Sequence, residues 1–305
     1  MATQKDVRSR IASVKNIHKI TRAMEMVAAA RLRRAEQRID HLRPYAQAIR
    51  KMARRVAEAA EGMPRVPVLE EREDVRSVGI LLVTGDRGLA GAFNTNIVRA
   101  GAQLRRELRS EGLESSYYVV GRRGNSTVQF RGDPVEKSYV GFTDRPGFAN
   151  AREISADLTA AYVDGELDRV DLIYNRYVTP LTQYVRRQTL LPLQQAAVFG
   201  EGVPEEERAE DAELEEAHAR ALWDYEPEPD ELLPELFSEY VDLSVFRALL
   251  ESTASEHGAR MTAMRNAAEN AEDMIGDLTL EMNRARQAEI TQEILEVVAG
   301  AEALG

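Results

Sequence analysis

Both ends of this 305-residue chain carry apolar side chains at the alternating three- and four-residue spacing of a coiled coil. In residues 1–60 the predicted stripe runs through Val7, Ile11, Val14, Ile17, Ile20, Met24 and Val27, and resumes at Leu32, Ala35, Ile39, Leu42, Ala46, Ile49, Ala53 and Val56. In residues 235–305 it runs through Met261, Met264, Ala268, Ala271, Ile275, Leu278, Met282 and Ala285. Because a long helix must bury such a stripe, we expect the two terminal helices to pack together as an antiparallel coiled coil.

Two local features modify this expectation. Pro44 lies inside the first helical pattern and predicts a kink near Arg43. Near Glu289 the second pattern changes register, as at a stutter, and continues through Ile290, Ile294, Val297 and Val298.

The two ends also differ in charge. Residues 1–60 have a net charge of +10 and residues 61–196 are neutral, whereas residues 197–235 carry −13 and residues 236–305 carry −8. Opposite charges of this size fit either of two arrangements: each end binds a separate partner, or the two ends pair with each other.

The middle of the chain has an α/β pattern. Apolar runs predict strands at 77–84, 116–121 and 169–178, an alternating run predicts an edge or hairpin strand at 183–191, and helices are expected near 94–111 and 149–165. This order predicts a small, mainly parallel, Rossmann-like sheet with helices on its faces. We divide the chain into an N-terminal coiled-coil helix (1–60), an α/β domain (75–196), an acidic insertion (197–234) and a C-terminal coiled-coil helix (235–305).

The most enzyme-like segment is the turn GDRGLAGAFN, residues 85–94, which follows the first strand and precedes a helix. Phosphate-binding loops occupy this position in α/β proteins. However, its glycine spacing matches neither the dinucleotide fingerprint nor the P-loop. We therefore expect a tight turn in which Asn94 caps the helix and Asp86 pairs with Arg87.

Other catalytic arrangements are not evident in the sequence. The chain has no cysteine, and its four histidines are far apart, so we expect no catalytic residue, cofactor or metal site of its own. Arg31, Arg33, Arg34 and Arg38 could contact phosphates, but the absence of interleaved aromatic residues argues against nucleic acid as a partner. No apolar run is long enough for a transmembrane segment, and the N-terminus has no signal-peptide pattern, so we expect a cytoplasmic chain.

Four motifs resemble the gamma-subunit family of F-type ATP synthases. They are IASVKNIHKITRAMEMVAAARLRRA near the N-terminus, GDRGLAGAFN in the middle, LLESTASEHGARMTAMRNAAENA further on, and NRARQAEITQEILEVVAGAEAL at the C-terminus. The resemblance covers nearly the whole chain, and only the acidic stretch around 200–222 departs from the shorter bacterial pattern. The plastid members of the family have a cysteine-bearing regulatory insertion at about this place, and this chain has no cysteine for such control.

The resemblance implies a function. In this family the terminal helices form the central-stalk rotor inside a ring of alternating alpha and beta subunits, and the α/β domain binds the epsilon subunit and stands on the membrane ring of c subunits. The rotor couples ion flow, here expected to be of protons, to conformational change in the catalytic beta subunits. The chain would then be a peripheral protein at the cytoplasmic face of the cell membrane.

The resemblance also assigns contact residues. Met24 and the C-terminal residues Arg286, Gln287, Thr291, Glu293 and Glu296 match the region that faces the beta-subunit catch. Tyr225 and Glu226 match the foot on the c ring. An alternative hypothesis is a freestanding α/β enzyme that binds a nucleotide or metabolite at residues 85–94 and uses coiled-coil arms for self-association.

Overall fold

The structure is a computed structural model of the chain and describes residues 4–59, 66–193 and 229–302. The first and last elements are long helices, α1 (Gln4–Ala59) and α5 (Pro229–Glu302). Between them lie a short 3-10 helix (Pro67–Leu69) and then, in chain order, β1 (Ser77–Val83), α2 (Phe93–Ser110), β2 (Glu114–Val120), α3 (Arg122–Phe130), β3 (Val135–Tyr139), α4 (Phe148–Val163), β4 (Arg169–Tyr177) and β5 (Gln183–Leu191). Helix α1 continues through Pro44, so the proline does not end it.

The chain forms two compact units. The coiled-coil unit contains Met1–Ala30 and Arg260–Gly305, and the α/β unit contains Arg31–Ala259. Each long helix therefore contributes residues to both units.

The α/β unit has a five-stranded sheet in the order β3-β2-β1-β4-β5. Strands β3, β2, β1 and β4 are parallel, and β5 pairs antiparallel with β4 at one edge. The mainly parallel sheet predicted from the sequence is confirmed, including the hairpin position of β5. Its central strand β1 is buried along Val78–Val83, as expected for a parallel strand covered on both faces.

Each face of the sheet has its own hydrophobic core. One core packs α2 and α3 against the sheet and includes Ile80, Leu82, Phe93, Ile97 and Leu104. The other core packs α4 together with parts of both long helices. Its helix residues include Ala46, Ile49, Ile154, Leu158, Phe237 and Val241. The segments of α1 and α5 that belong to the α/β unit are thus part of its hydrophobic core.

The sequence did not predict α3 or β3. Helix α3 has only nine residues, of which Gly124 and Val128 are buried, so its apolar pattern is short. Strand β3 is an edge strand whose central residues are exposed and polar, so it lacks an apolar run. Both elements are set by their packing beside β2 and not by their own composition.

In the coiled-coil unit the Glu25 carboxylate accepts a hydrogen bond from Arg265 Nε at 3.0 Å. In the α/β unit Tyr45 Oη donates to Glu239 at 2.7 Å. Each unit thus contains a direct contact between α1 and α5. The two helices run antiparallel, as predicted.

The buried stripe of α1 differs from the predicted one between residues 17 and 27. Ile17, Ile20 and Val27 are more than half exposed, whereas the predicted Val14 and Met24 are half-buried. The other buried or half-buried positions of this region are His18, Thr21, Glu25 and Ala28. The physical reason is the phase of the 4-3 repeat. An unbroken 4-3 repeat connects Val7 and Ile11 to Leu32 and Ala35 only through His18, Thr21, Glu25 and Ala28, and the three apolar residues lie one position away from it.

The predicted stripe of α5 is confirmed, because all eight of its positions from Met261 to Ala285 are buried or half-buried. The continuation beyond Glu289 is wrong as a seam. Every side chain from Arg286 to Ala299 is exposed, including Ile290, Ile294 and Val297. The described part of α1 starts at Gln4, which matches Ala285 when Glu25 is set opposite Met264, so among the described residues the seam partner of α5 ends at this point.

Candidate functional site

Two surfaces were candidates for function: the carboxyl edge of the parallel strands, where an α/β enzyme would bind its ligand, and the exposed parts of the coiled-coil unit. At the carboxyl edge the turns after β1, β2 and β3 come together. Ligands of open parallel sheets bind at such an edge. Its geometry therefore tests the enzyme hypothesis.

Asp86 connects the three turns. Its carboxylate accepts hydrogen bonds from the backbone N–H groups of Arg122 (3.0 Å), Gly141 (2.8 Å) and Thr143 (3.2 Å), and from the Thr143 hydroxyl (3.0 Å). Burial by itself would raise the pKa of Asp86, but these four donors outweigh it and the pKa is lowered. Asp86 does not pair with Arg87 as predicted, since Arg87 pairs with Asp144 at 3.3 Å. Its role is to hold the loops together.

Asn94 also has a different role from the predicted one. The N-cap position of α2 is Ala92, and Asn94 Oδ1 instead accepts the backbone N–H of Gly85 at 2.8 Å. Its side-chain amide donates to the Arg87 carbonyl at 3.3 Å. Asn94 therefore closes the turn from inside, which propensity rules for helix caps do not predict.

Helix α5 fills the edge where a ligand would lie. Ser252 donates to the Val83 carbonyl at 3.2 Å, and Thr253 donates to the Thr143 carbonyl at 2.9 Å. A Cβ atom at Gly85 would lie 2.6 Å from the Glu256 carboxyl carbon, so the turn and the helix are already in close contact.

A cavity beside Thr84 and Glu256, lined by described residues of this edge, measures about 10 Å³. This is room for one water molecule, whereas small-molecule sites measure roughly 300–1,000 Å³. The geometry does not support ligand binding at residues 85–94.

Two of the four arginines considered for phosphate contact are used inside the α/β unit. Arg31 pairs with Asp144, and the guanidinium group of Arg38 donates to the Pro146 carbonyl. These contacts fix α1 to the loop that precedes α4. They reduce the cationic surface that could bind nucleic acid.

The predicted catch residues lie in the coiled-coil unit. Met24 is half-buried beside the seam, whereas Arg286, Gln287, Thr291, Glu293 and Glu296 are exposed on the end of α5. Because Glu25 contacts Arg265, Met24 lies near residue 265 of α5, and about 30 Å of helix separates that point from Arg286. The structure therefore does not bring Met24 together with the C-terminal group. Tyr225 and Glu226 lie outside the described residues.

The coiled-coil unit exposes large apolar side chains, some of which were predicted to lie in a seam. On α1 they are Ile17, Ile20, Met26 and Val27, and on α5 they are Met274, Leu280, Ile290, Ile294, Leu295, Val297 and Val298. Exposed apolar surface of this extent is typical of a site that binds other proteins. The sequence contains the evidence for the α1 part of this surface, because Ile17, Ile20 and Val27 do not fit the 4-3 repeat that continues from Val7 to Val56.

The ATP synthase family model matches residues 3–304 of the chain. The ATP synthase gamma chain of Rubrobacter xylanophilus is 41% identical over 304 residues, covering 100% of this chain and 99% of its own length. The ATP synthase gamma chain of Moorella thermoacetica is likewise 41% identical over 304 residues and covers 100% of both chains. The chain belongs to the ATP synthase gamma-chain family.

Solved structures agree with this membership. The central stalk and c-ring structure of the Tetrahymena thermophila mitochondrial ATP synthase contains a chain that is 28% identical, with a TM-score of 0.57 over 81% of this chain and 99% of that one. A chain of the Euglena gracilis mitochondrial ATP synthase, at 18% identity, shares the fold with a TM-score of 0.65 over 99% of this chain and 94% of its own. Among the described residues, none of the helices of this gamma-chain family member is long and apolar enough to cross a bilayer.

Proposed function

We propose that this chain is the central-stalk rotor subunit of a proton-translocating F-type ATP synthase. Membership of the gamma-chain family over the full length supports this function, as does the 28% identical chain from a central stalk. The observation that carries the proposal is a coiled coil that satisfies its own seam and still exposes large apolar residues along its outer surface and its C-terminal end. Such a rod needs other proteins around it.

The partners of the rotor follow from this role. The alpha and beta subunits surround the coiled coil, and the epsilon subunit and the c ring bind the α/β unit or its neighbouring segments. Tyr225 and Glu226, in the acidic segment 197–234, are proposed as the foot on the c ring. The chain is a peripheral subunit, and its location is the cytoplasmic face of the cell membrane.

The mechanism is a bias on the conformation of the beta subunits. A single asymmetric rod cannot make the same contacts with three beta subunits at once, so each beta subunit meets a different face of it. If the rod binds the closed conformation of a beta subunit about 5.5 kcal/mol more favourably than the open one, the ratio of closed to open shifts from 1:99 to 99:1. Rotation driven by proton flow carries this bias from one beta subunit to the next.

The proposed contact residues form two separate groups along the coiled coil. The first group is Met24, which lies beside the apolar residues Ile20 and Val27 of α1. The second group, Arg286, Gln287, Thr291, Glu293 and Glu296, lies near the C-terminal end of α5, where every described side chain is exposed. In this part of α5, cationic, amide, hydroxyl and carboxylate groups alternate with apolar ones on a helix whose whole circumference is exposed, so it can present different chemistry to each neighbour.

The rotor itself performs no chemistry in this proposal. The carboxyl edge of the sheet, where a parallel α/β protein would bind a nucleotide, is filled by Asp86 and by α5. ATP is made or hydrolysed on the beta subunits. An isolated chain that hydrolysed ATP at an enzyme-like rate would contradict the proposal.

The test has two parts. A tagged chain purified from native membranes should bring alpha and beta subunits with it, identified by mass spectrometry. A chain that ends at Ala285 should then fold normally, because the seam ends there, but ATP-driven proton pumping by the complex should be greatly weakened. A chain that ends at Met274 is the matched control, since it removes seam residues and should also lose stability.

Two results would contradict the proposal. One is recovery of the chain from membranes without alpha and beta subunits. The other is a complex that pumps protons normally with the chain that ends at Ala285.

A further inference from the structure

The part of the coiled-coil seam that contains residues 18–28 of α1 is unusually polar. Toward the N-terminus of α1 the seam has the apolar residues Val7, Ile11 and Val14. Between residues 18 and 28 of α1 it has His18, Thr21, Glu25 and Ala28. The seam positions of α5 that match them are Met261, Met264, Ala268 and Ala271, which are small or flexible. A seam built from small and polar residues gains little from burial, so something else must fix how the helices fit there.

Glu25 is the charged group in this part of the seam. The residue is 7% exposed, and two guanidinium groups reach it from the rim. Arg265 Nε donates to one carboxylate oxygen at 3.0 Å, and Arg22 Nη1 donates to the other at 2.7 Å. The hydrogen bond from Arg265 and the positive charge of Arg22 lower the pKa of Glu25 despite its burial, so it is ionised at neutral pH.

The two arginines are not equivalent. Arg22 is three residues before Glu25 on the same helix, so this pair forms whatever the position of α5. Arg265 is on α5, so its hydrogen bond forms only when the two helices have the observed register and rotation. Only the second contact can select one packing over another.

Helix α1 offers a competing packing in this region. The exposed residues Ile17, Ile20 and Val27, together with Met24, form a second stripe with the same spacing, one residue out of phase with the seam. Turning this part of α1 by about 100° would bury this stripe and expose Glu25. Hydrophobic burial alone favours that turn, because Ile, Ile, Met and Val are more apolar than His, Thr, Glu and Ala.

The contact of Glu25 with Arg265 fits the register in which the two seams match along their whole length. When Glu25 is set opposite Met264, each seam position of α1 from Ala28 back to Gln4 falls opposite a seam position of α5 from Met261 to Ala285. A buried charged or polar group at one seam position is a known way for a coiled coil to specify its register at some cost in stability.

We infer that Glu25, through its contact with Arg265, is a positioning residue that locks the register and rotation of α1 against α5 and so keeps the apolar stripe Ile17, Ile20 and Val27 facing outward. This inference rests on the proposed function for its consequence, since the outward stripe is the surface offered to the surrounding ring. The lock itself is a property of the chain and can be tested separately.

The test uses engineered cysteines, because the chain has none of its own. The pair Thr21→Cys with Ala268→Cys reports the observed packing, and the pair Ile20→Cys with Ala268→Cys reports the rotated one. Disulfide formation is measured in the full chain within the complex purified from membranes. With Glu25 intact we expect the first pair to exceed the second about tenfold in yield, since a disulfide requires Cβ atoms about 4 Å apart.

Four single variants and one double variant test the lock. Glu25→Ala and Arg265→Ala should each bring the two yields to within about threefold of each other, and the double variant should change the ratio no further, because both remove one contact. Arg265→Lys, which keeps a cation at this place, should keep a higher ratio than Arg265→Ala. Arg22→Ala is the matched control: it removes a similar hydrogen bond to the same carboxylate and should leave the ratio near tenfold.

The same variants are then tested for coupling, as protons pumped per ATP hydrolysed. Glu25→Ala and Arg265→Ala should lower this ratio severalfold, and Arg22→Ala should not. An unchanged cross-linking ratio in Glu25→Ala, or an equal loss in Arg22→Ala, would overturn the inference. If the chain does not co-purify with alpha and beta subunits, the proposed function fails instead, and the cross-linking ratio in the isolated full chain still decides whether the lock exists.

Discussion

The α/β unit and the coiled-coil unit use their side chains in opposite ways. In the α/β unit, apolar residues such as Ile80 and Phe237 are fully buried, and the polar edge of the sheet is filled by the chain's own Asp86, Ser252 and Thr253. In the coiled-coil unit, a charged residue occupies the seam while isoleucines and valines lie outside. The comparison indicates that the α/β unit fills its own ligand-binding edge, whereas the coiled-coil unit has a seam and an outer surface shaped for contact with other proteins.

The largest expected difference is between two isoleucines. Ile80 is fully buried in the α/β unit and Ile17 is 53% exposed in the coiled-coil unit. Ile80→Ala should lower the free energy of unfolding by about 2–5 kcal/mol, because it leaves a cavity, whereas Ile17→Ala should change it by less than about 0.5 kcal/mol. Urea denaturation of the isolated chain measures both changes.

Ile17→Ala should have a larger effect on the assembled complex than on the isolated chain. In the complex, Ile17→Ala should weaken the binding of the chain to the alpha and beta subunits. The measurement is the fraction of the chain that stays bound to them when the complex is washed with salt or diluted during purification. If Ile17→Ala destabilised the isolated chain as much as Ile80→Ala does, the exposed stripe would be part of the fold, and the contrast between the two units would be wrong.

A second, smaller effect is expected at Asp86. Asp86→Asn offers one acceptor oxygen in place of two and should lower the free energy of unfolding by about 1–3 kcal/mol. The pKa of Asp86 is lowered, so the stabilisation is complete above the ordinary carboxyl value of 3.8 and is lost as the pH falls through the lower value of the folded chain. Unfolding followed from pH 7 to pH 3 should therefore show a difference between parent and variant that is constant above about pH 5 and shrinks in acid.

The matched control for this prediction is Asp273→Asn, which replaces an exposed carboxylate of the coiled-coil unit. It should be nearly neutral at every pH. Equal losses at the two positions would show that Asp86 is an ordinary surface carboxylate and not the connection between the three turns.

The smallest effect is expected at Asp242 of α5, which accepts a hydrogen bond from Ser155 and pairs with Arg152. Burial raises the pKa of Asp242, and the nearby Glu239 adds to this. The charged form therefore costs stability as the pH rises through the raised value, so Asp242→Asn should stabilise the chain by about 0.5 kcal/mol at pH 7.

This gain should disappear below pH 3.8, where the carboxyl group is neutral in the folded and the unfolded chain. Thermal unfolding at pH 7 and pH 3.5 measures the difference. A variant that is less stable than the parent at pH 7 would show that the Arg152 pair outweighs burial.

Much of this comparison could be predicted from the sequence. The 4-3 repeat of Met261 to Ala285 is regular and identified the α5 seam, and the apolar run of β1 identified the centre of the sheet. Residues Ile17, Ile20 and Val27 misled the prediction because hydrophobicity does not distinguish burial in a seam from burial under a partner. Only the phase of the complete repeat, from Val7 to Val56, makes that distinction.

The candidate site was predictable to a smaller degree. The exposure of Arg286 to Glu296 depends on which part of α5 packs against α1, and no local sequence pattern contains that information. The role of Asp86 depends on the turns after β2 and β3, and β3 itself has no apolar run that identifies it. The contact of Glu25 with Arg265 joins residues 240 positions apart, so no local pattern contains it.

The most direct measurement is rotation of the chain within the complex. Phe130 is 93% exposed in the α/β unit, and a cysteine there would be the sole thiol of the chain, so it can carry a bead or a fluorescent label. With the alpha and beta subunits fixed to a surface and ATP added, the label should turn in one direction, in three steps per turn. A label that stays still while the same complexes hydrolyse ATP would contradict the claim that this chain is the rotor.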